Sequence, residues 1–90
     1  MLTDFSTANE YGESQIRINA VCPGPIDTPL LERAVAMNPT LRDSATDSTA
    51  LKRMGDVDEV ADAILFLASP AGSYVHGTAM VVDGGYLNMA

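Results

Sequence analysis

Arg17-Ile18-Asn19-Ala20-Val21-Cys22-Pro23-Gly24-Pro25-Ile26-Asp27-Thr28-Pro29 is the stretch that decides the fold. Ile16, Ile18 and Ala20 fall on one face of an extended chain, and Val21 and Cys22 keep the strand apolar to its end. The expectation is a strand over residues 15–22 that is buried on both faces. Strands of that kind belong to parallel sheets covered by helices on each side. The strand runs straight into a turn stiffened by proline and glycine, then into the hydroxyl of Thr28. In open α/β sheets ligands bind just past the carboxyl ends of strands. The stretch therefore reads as one wall of a binding crevice. A plainer reading stands beside it: Pro-Gly-Pro turns the chain, and Thr28 caps a helix that begins at Pro29, a position that suits proline. The two readings are compatible.

Working outward, Leu2, Phe5 and Ala8 sit at helical spacing, and the pattern reads as the last turns of a helix ending near Gly12. With no capping signal before it, that helix reads as cut off upstream. On the other side, residues 29–51 carry little strand pattern. Leu30, Leu31, Ala34 and Val35 make a short helical stripe, Asn38-Pro39 interrupts it, and residues 43–49 are polar and loosely specified. A connection this long is usually a lid over a binding site, or else disordered.

Residues 56–68 give the clearest helix. Asp56 is a good N-cap and Glu59 follows three positions on, an acidic form of the capping box. Val57, Val60, Ala61, Ile64, Leu65 and Ala68 share a stripe that Phe66 and Leu67 widen, so cover on two sides is expected. Ser69-Pro70 ends the helix. Residues 78–82 form a second strand, closed by Asp83-Gly84-Gly85. Helix, strand, long connection, helix and strand make an α/β order, a βαβ unit with two parallel strands.

Composition bounds the function. Ninety residues allow one small domain at most, and a hydrophobic content of 47% is that of a globular protein. A net charge of -7 argues against nucleic acid and against an anionic membrane surface. The longest apolar run, residues 63–68, is far short of a membrane span. The first residues lack the pattern of a signal peptide, and Cys22 is the only cysteine, so a reducing, cytoplasmic setting is expected.

Several ordered pieces resemble the short-chain dehydrogenase/reductase family: Glu10-Tyr11-Gly12; residues 16–24; Ile26-Asp27-Thr28; Arg53-Met54-Gly55; Glu59-Val60-Ala61; residues 65–69; Gly77-Thr78; and Val82-Asp83-Gly84-Gly85. Each piece is weak alone, but their order and spacing together are a strong signal. The resemblance is to the C-terminal portion of such an enzyme. It implies a Rossmann-type doubly wound parallel sheet, with the two strands here lying side by side as its sixth and last. Residues 1–90 would be part of an NAD(P)-binding domain, with 29–51 as substrate lid. It implies hydride transfer between NAD or NADP and a small alcohol or carbonyl compound.

By the same resemblance, Pro23 and Gly24 would pack on the nicotinamide ring. The backbone of Ile26 would bind the carboxamide, and Thr28 would reach the carboxamide or pyrophosphate. Residues 56–68 and 78–82 would form a contact between subunits of a homo-oligomer; burial within one chain is the alternative. The family's Tyr-x-x-x-Lys pair is missing, since Tyr11, Tyr74 and Tyr86 are followed four positions on by Gln15, Thr78 and Ala90. No Gly-rich loop opens a helix either. No catalytic residue is therefore assigned, and Asn19 is not the family's catalytic Asn.

His76 reads as a surface or turn histidine, Cys22 as a small buried hydrophobe, and the acids Asp56, Asp58, Glu59 and Asp62 as helix capping and a solvated face rather than a metal site. The chain is expected to be inactive alone. A second function class stays open, a non-catalytic interaction module that pairs with an intact relative.

Overall fold

A computed structural model describes residues 6–86. The first helix, α1 (Ser6–Tyr11), passes into a 3-10 turn at Gly12–Ser14. Its expected start at Leu2 and Phe5 lies outside the described residues. Strands β1 (Ala20–Pro23) and β2 (Ile26–Asp27) follow, then helices α2 (Pro29–Met37) and α3 (Thr40–Asp47). Strand β3 (Gly55–Asp56) leads directly into α4 (Val57–Ala68), and β4 (Ala79–Val82) comes last, after a 3-10 turn at Pro70–Gly72.

β1 and β4 are parallel neighbours, with Ala20 opposite Ala79 and Pro23 opposite Val82. Their ladder continues one residue further, where the Gly24 N–H donates to Val82 O at 3.0 Å. Asn19 sets the register at the other end. Its Nδ2 donates to Val75 O at 3.0 Å, and its Oδ1 accepts the Thr78 N–H at 3.1 Å. β1 is shorter than its apolar pattern suggests, because before Ala20 the regular ladder gives way to side-chain and turn bonds, with one backbone bond remaining from the Gly77 N–H to Ile18 O at 2.9 Å. Gln15 takes a left-handed conformation, φ 62°, and Ile18 N–H donates to the His76 ring.

His76 is exposed and lies outside any helix or strand, as expected of a surface or turn histidine, and its ring is engaged. Its Nδ1 accepts from Ile18 N at 3.2 Å, so the ring proton sits on Nε2, which lies 2.6 Å from Ala8 O. One imidazole thereby ties α1 to the approaches of both long strands.

Three further expectations are corrected. Residues 43–49 are not loose: most of them belong to α3, an amphipathic helix that packs on α2. Polar composition hides the helix because only Leu41 and Ala45 need an apolar neighbour. Cys22 is half-buried rather than buried. The two-sided cover expected for α4 is not supplied by the described residues: of its side chains only Leu67 is buried, and Ile64 and Leu65 are 52% and 65% exposed. The helix lies against β1, β3 and β4 and leaves its outer face uncovered.

A second, two-residue parallel pair was not foreseen. Ile26 pairs with Gly55 and Asp27 with Asp56. This pair brackets the long connection, so residues 29–51 leave and return at one place beside the carboxyl ends of β1 and β4. Thr49, 1% exposed, fastens the returning chain; its hydroxyl lies 3.1 Å from both Thr46 O and Arg53 O and accepts the Arg53 N–H.

Candidate functional site

The site begins where β1 ends. Gly24 makes the last bond of the ladder, and a Cβ built there would stand 2.5 Å from Asp83 Cβ and 2.8 Å from Asp83 Cα. A glycine is therefore needed at this position for the ends of β1 and β4 to come together, whatever binds above them. Asp83 in turn accepts the Gly85 N–H at 2.9 Å, which shapes the Asp83-Gly84-Gly85 turn. Gly84 and Gly85 both take positive φ, 61° and 88°. The Gly84 carbonyl accepts the Leu51 N–H at 3.0 Å, so this turn also holds the far end of the lid segment.

Of the clefts around the strand ends, two share Pro23. The first, about 610 Å³, lies between the strand ends and the lid helices, with Pro23 and Gly24 as its floor and Leu31 and Leu41 among its walls. That volume is in the range of small-molecule sites. The second, about 350 Å³ and lined almost entirely by apolar atoms, runs between Pro23, Ile26 and Thr28 on one side and Val57, Val60, Ala61 and Ile64 of α4 on the other. The four residues singled out in the sequence, Pro23, Gly24, Ile26 and Thr28, are thus gathered at one rim but divided between two openings.

Thr28 satisfies its plainer reading. It is the N-cap of α2, and its Oγ1 accepts the Leu31 N–H at 3.2 Å with Pro29 at the first helical position. That bond uses a lone pair; the hydroxyl proton is left to donate elsewhere. Ile26 has a comparable reserve. The β2–β3 pair bonds through its neighbours, with Gly55 N–H donating to Pro25 O at 2.9 Å. Parallel ladders use alternate residues of a strand, so the amide groups of Ile26 face away from β3.

The charged groups near the rim are already engaged. Arg53 forms a two-pronged pair with Glu59, at 2.8 and 3.0 Å, and also donates to Met54 O. Glu59 accepts the Asp56 N–H at 2.9 Å. Hydrogen bonding from Arg53 first, and from the Asp56 amide second, lowers the Glu59 carboxyl to about 2. Asp56 and Glu59 at the start of α4 therefore serve the helix terminus and one arginine. Arg42 reaches Asp27 at 3.4 Å and Met54 Sδ at 3.6 Å, which pins α3 to β2. Sequence reading missed Thr49, Arg42 and Asp83 as organisers of the rim. Their partners lie too far along the chain, or in too irregular a segment, for a periodic pattern to mark them.

This arrangement is a parallel strand end, a glycine turn and a helical flap, and it agrees with comparisons to known proteins. Residues 5–87 match the family model described as enoyl-(acyl carrier protein) reductase. The chain is 44% identical over 81 residues to the 2-(R)-hydroxypropyl-CoM dehydrogenase of Xanthobacter autotrophicus, covering 90% of this chain and 32% of that protein. Among solved structures it superposes with a TM-score of 0.86 and 40% identity on a short-chain dehydrogenase/reductase family oxidoreductase from Burkholderia thailandensis, covering 92% of this chain and 33% of the other. It also superposes, with a TM-score of 0.85 and 34% identity over 93% of this chain and 34% of the other, on an Agrobacterium tumefaciens protein described provisionally as a 2-deoxy-d-gluconate 3-dehydrogenase and solved with bound NADP. The chain belongs to the short-chain dehydrogenase/reductase family, and its strands are part of a Rossmann-type sheet. It spans about a third of the length of the curated relatives it matches.

Proposed function

We propose that this chain is the C-terminal part of an NAD(P)-dependent short-chain oxidoreductase, acting on a small alcohol or carbonyl compound. It supplies the wall beside the nicotinamide and, in residues 29–51, the substrate lid. The observation that carries the reading is the convergence of Pro23, Gly24, Ile26 and Thr28 at the carboxyl rim of a parallel pair, with lid helices hinged beside them. The groups present fit a nicotinamide: Pro23 offers an apolar surface, the Ile26 amide is directed away from its ladder, and Thr28 keeps a hydroxyl proton after capping α2. Bound there, NAD or NADP supplies the hydride chemistry. The residues of this chain bind and orient the ring and exclude water. Without a Tyr-x-x-x-Lys pair the chain has no proton donor of the family's kind, so it is inactive alone. The uncovered face of α4, together with β4, is offered to a second subunit. A cytoplasmic setting suits its single cysteine.

The test separates the cap from the cofactor contact. Aspartate caps a helix as well as threonine does but has no proton to donate when ionised. In the complete polypeptide that carries this sequence, Thr28→Asp should keep the melting temperature and raise the KM for NADH or NADPH by about tenfold, the worth of one lost hydrogen bond. An unchanged cofactor KM in Thr28→Asp would reduce Thr28 to a helix cap. Absence of cofactor binding by the complete polypeptide would remove the oxidoreductase reading altogether.

A further inference from the structure

The larger cleft has a charge character that composition alone does not reveal. Leu31, Leu41 and Ala45 of the lid helices face Val81 of β4 across it, and Ser44 and Ser48 supply hydroxyls. None of the chain's five basic residues lines it. Four of them are held elsewhere: Arg17 donates to Val75 O, Arg42 binds Asp27, Lys52 donates to Asp47 O and Arg53 binds Glu59. The fifth, Arg33, is exposed on α2 outside the lining. Among the described residues the one carboxyl in the wall is that of Asp83, at the end of β4. An anion entering this cleft would leave water for apolar walls and one like charge, with no compensating cation from these residues.

We infer that the wall contributed by this chain selects an uncharged alcohol or carbonyl substrate with an apolar body, and disfavours substrates bearing a carboxylate, phosphate or sulfonate. The inference rests on the oxidoreductase reading above and adds the charge class of its substrate. Ser44, with no side-chain partner among the described residues, is the polar handle for a neutral hydroxyl or carbonyl group. Ser48 donates to Ala45 O at 2.6 Å and retains only acceptor capacity.

Matched ketones test this, ethyl benzoylformate against benzoylformate first, followed by further ester and acid pairs. Each is offered with NADH and NADPH to the complete polypeptide carrying this sequence. The esters should exceed their acids in kcat/KM by about 100-fold, the scale of a like-charge juxtaposition in a desolvated site. Ala45→Arg places a cation in the wall on an exposed-edged helix and should narrow that ratio at least about tenfold by raising the acid's kcat/KM. Asp83→Asn, which preserves the acceptor for Gly85, should narrow it in the same direction. Acids used as well as their esters by the unaltered protein would overturn the charge selection while leaving the oxidoreductase reading in place. So would an Ala45→Arg variant with an unmoved ratio. Reduction of no ketone in the panel, with no cofactor bound, would instead overturn the oxidoreductase reading, and the inference with it.

Discussion

Gly24 shows how one residue serves both fold and site. Its neighbour is Asp83, from the other end of the chain, and the space for a methyl group is already taken by that residue's Cα and Cβ. Gly24→Ala should therefore destabilise the complete polypeptide by about 1–3 kcal/mol, the usual range for overpacking a tight contact, read as a lowered urea midpoint with unchanged slope. In an Asp83→Gly background part of that loss should return, because one of the two close atoms is gone. A Gly24→Ala variant as stable as the parent would mean that the two strand ends can part without cost. Gly85 tells the same story with backbone conformation added. At φ 88°, and with a built Cβ 2.7 Å from Ala50 Cβ, it admits no side chain, so Gly85→Ala should loosen the lid segment from the turn after β4.

At the scale of elements, the start of α4 is an electrostatic clasp whose sign is fixed. Glu59 has its carboxyl lowered from 4.5 to about 2 by Arg53 and the Asp56 amide. A carboxyl lowered on folding contributes stability that is fully present above its unfolded value and is lost as pH falls through the folded one. Wild type should thus lose stability relative to Glu59→Gln as pH drops from 4.5 to about 2, and the two should run parallel above that window. Both partners are exposed, so the effect is small and should shrink further in 1 M salt. A difference confined to neutral pH would contradict the clasp. This helix was legible in sequence because capping chemistry and a sustained 3.6-residue stripe agree on it. α2 was legible for the same reason, through Thr28 and Pro29. α3 was not: one leucine and one alanine among polar residues leave no stripe to read, and its helicity is settled by packing on α2 and by Arg42 reaching Asp27. β2 and β3, two residues each, are too short for any period. Of the candidate site, the local stretch from Pro23 to Thr28 could be read directly. Asp83 could not, since its contact with Gly24 is made only after β1 and β4 pair, and Thr49 could not, since its bonds to Thr46 and Arg53 lie in a segment too irregular to carry a period.

At the scale of the whole molecule the apolar surface is unevenly closed. Ala8 and Leu67 are the only buried hydrophobic side chains among the described residues, while Ile64, Leu65, Phe66 and Val81 stand 40% or more exposed. A two-stranded parallel sheet is also foreign to stable folds, because parallel strands need cover on both faces. Two sources of cover are available in principle, further strands of a Rossmann-type sheet beside β1 and a second subunit over α4 and β4, and they make different demands. Produced alone, the 90-residue chain should bind a hydrophobic dye such as ANS and should melt over a broad range. If only the subunit contact is missing, raising the concentration should sharpen the melt and abolish dye binding, and Leu65→Asp on the outer face of α4 should block that recovery. If the further strands are needed as well, dye binding should persist at every concentration and Leu65→Asp should change little. The sheet edge favours the second outcome, since β1 has one bonded neighbour among the described residues and no second copy packed on α4 can supply the other. A sharp melt without dye binding at low concentration would show instead that these faces close upon one another within the single chain.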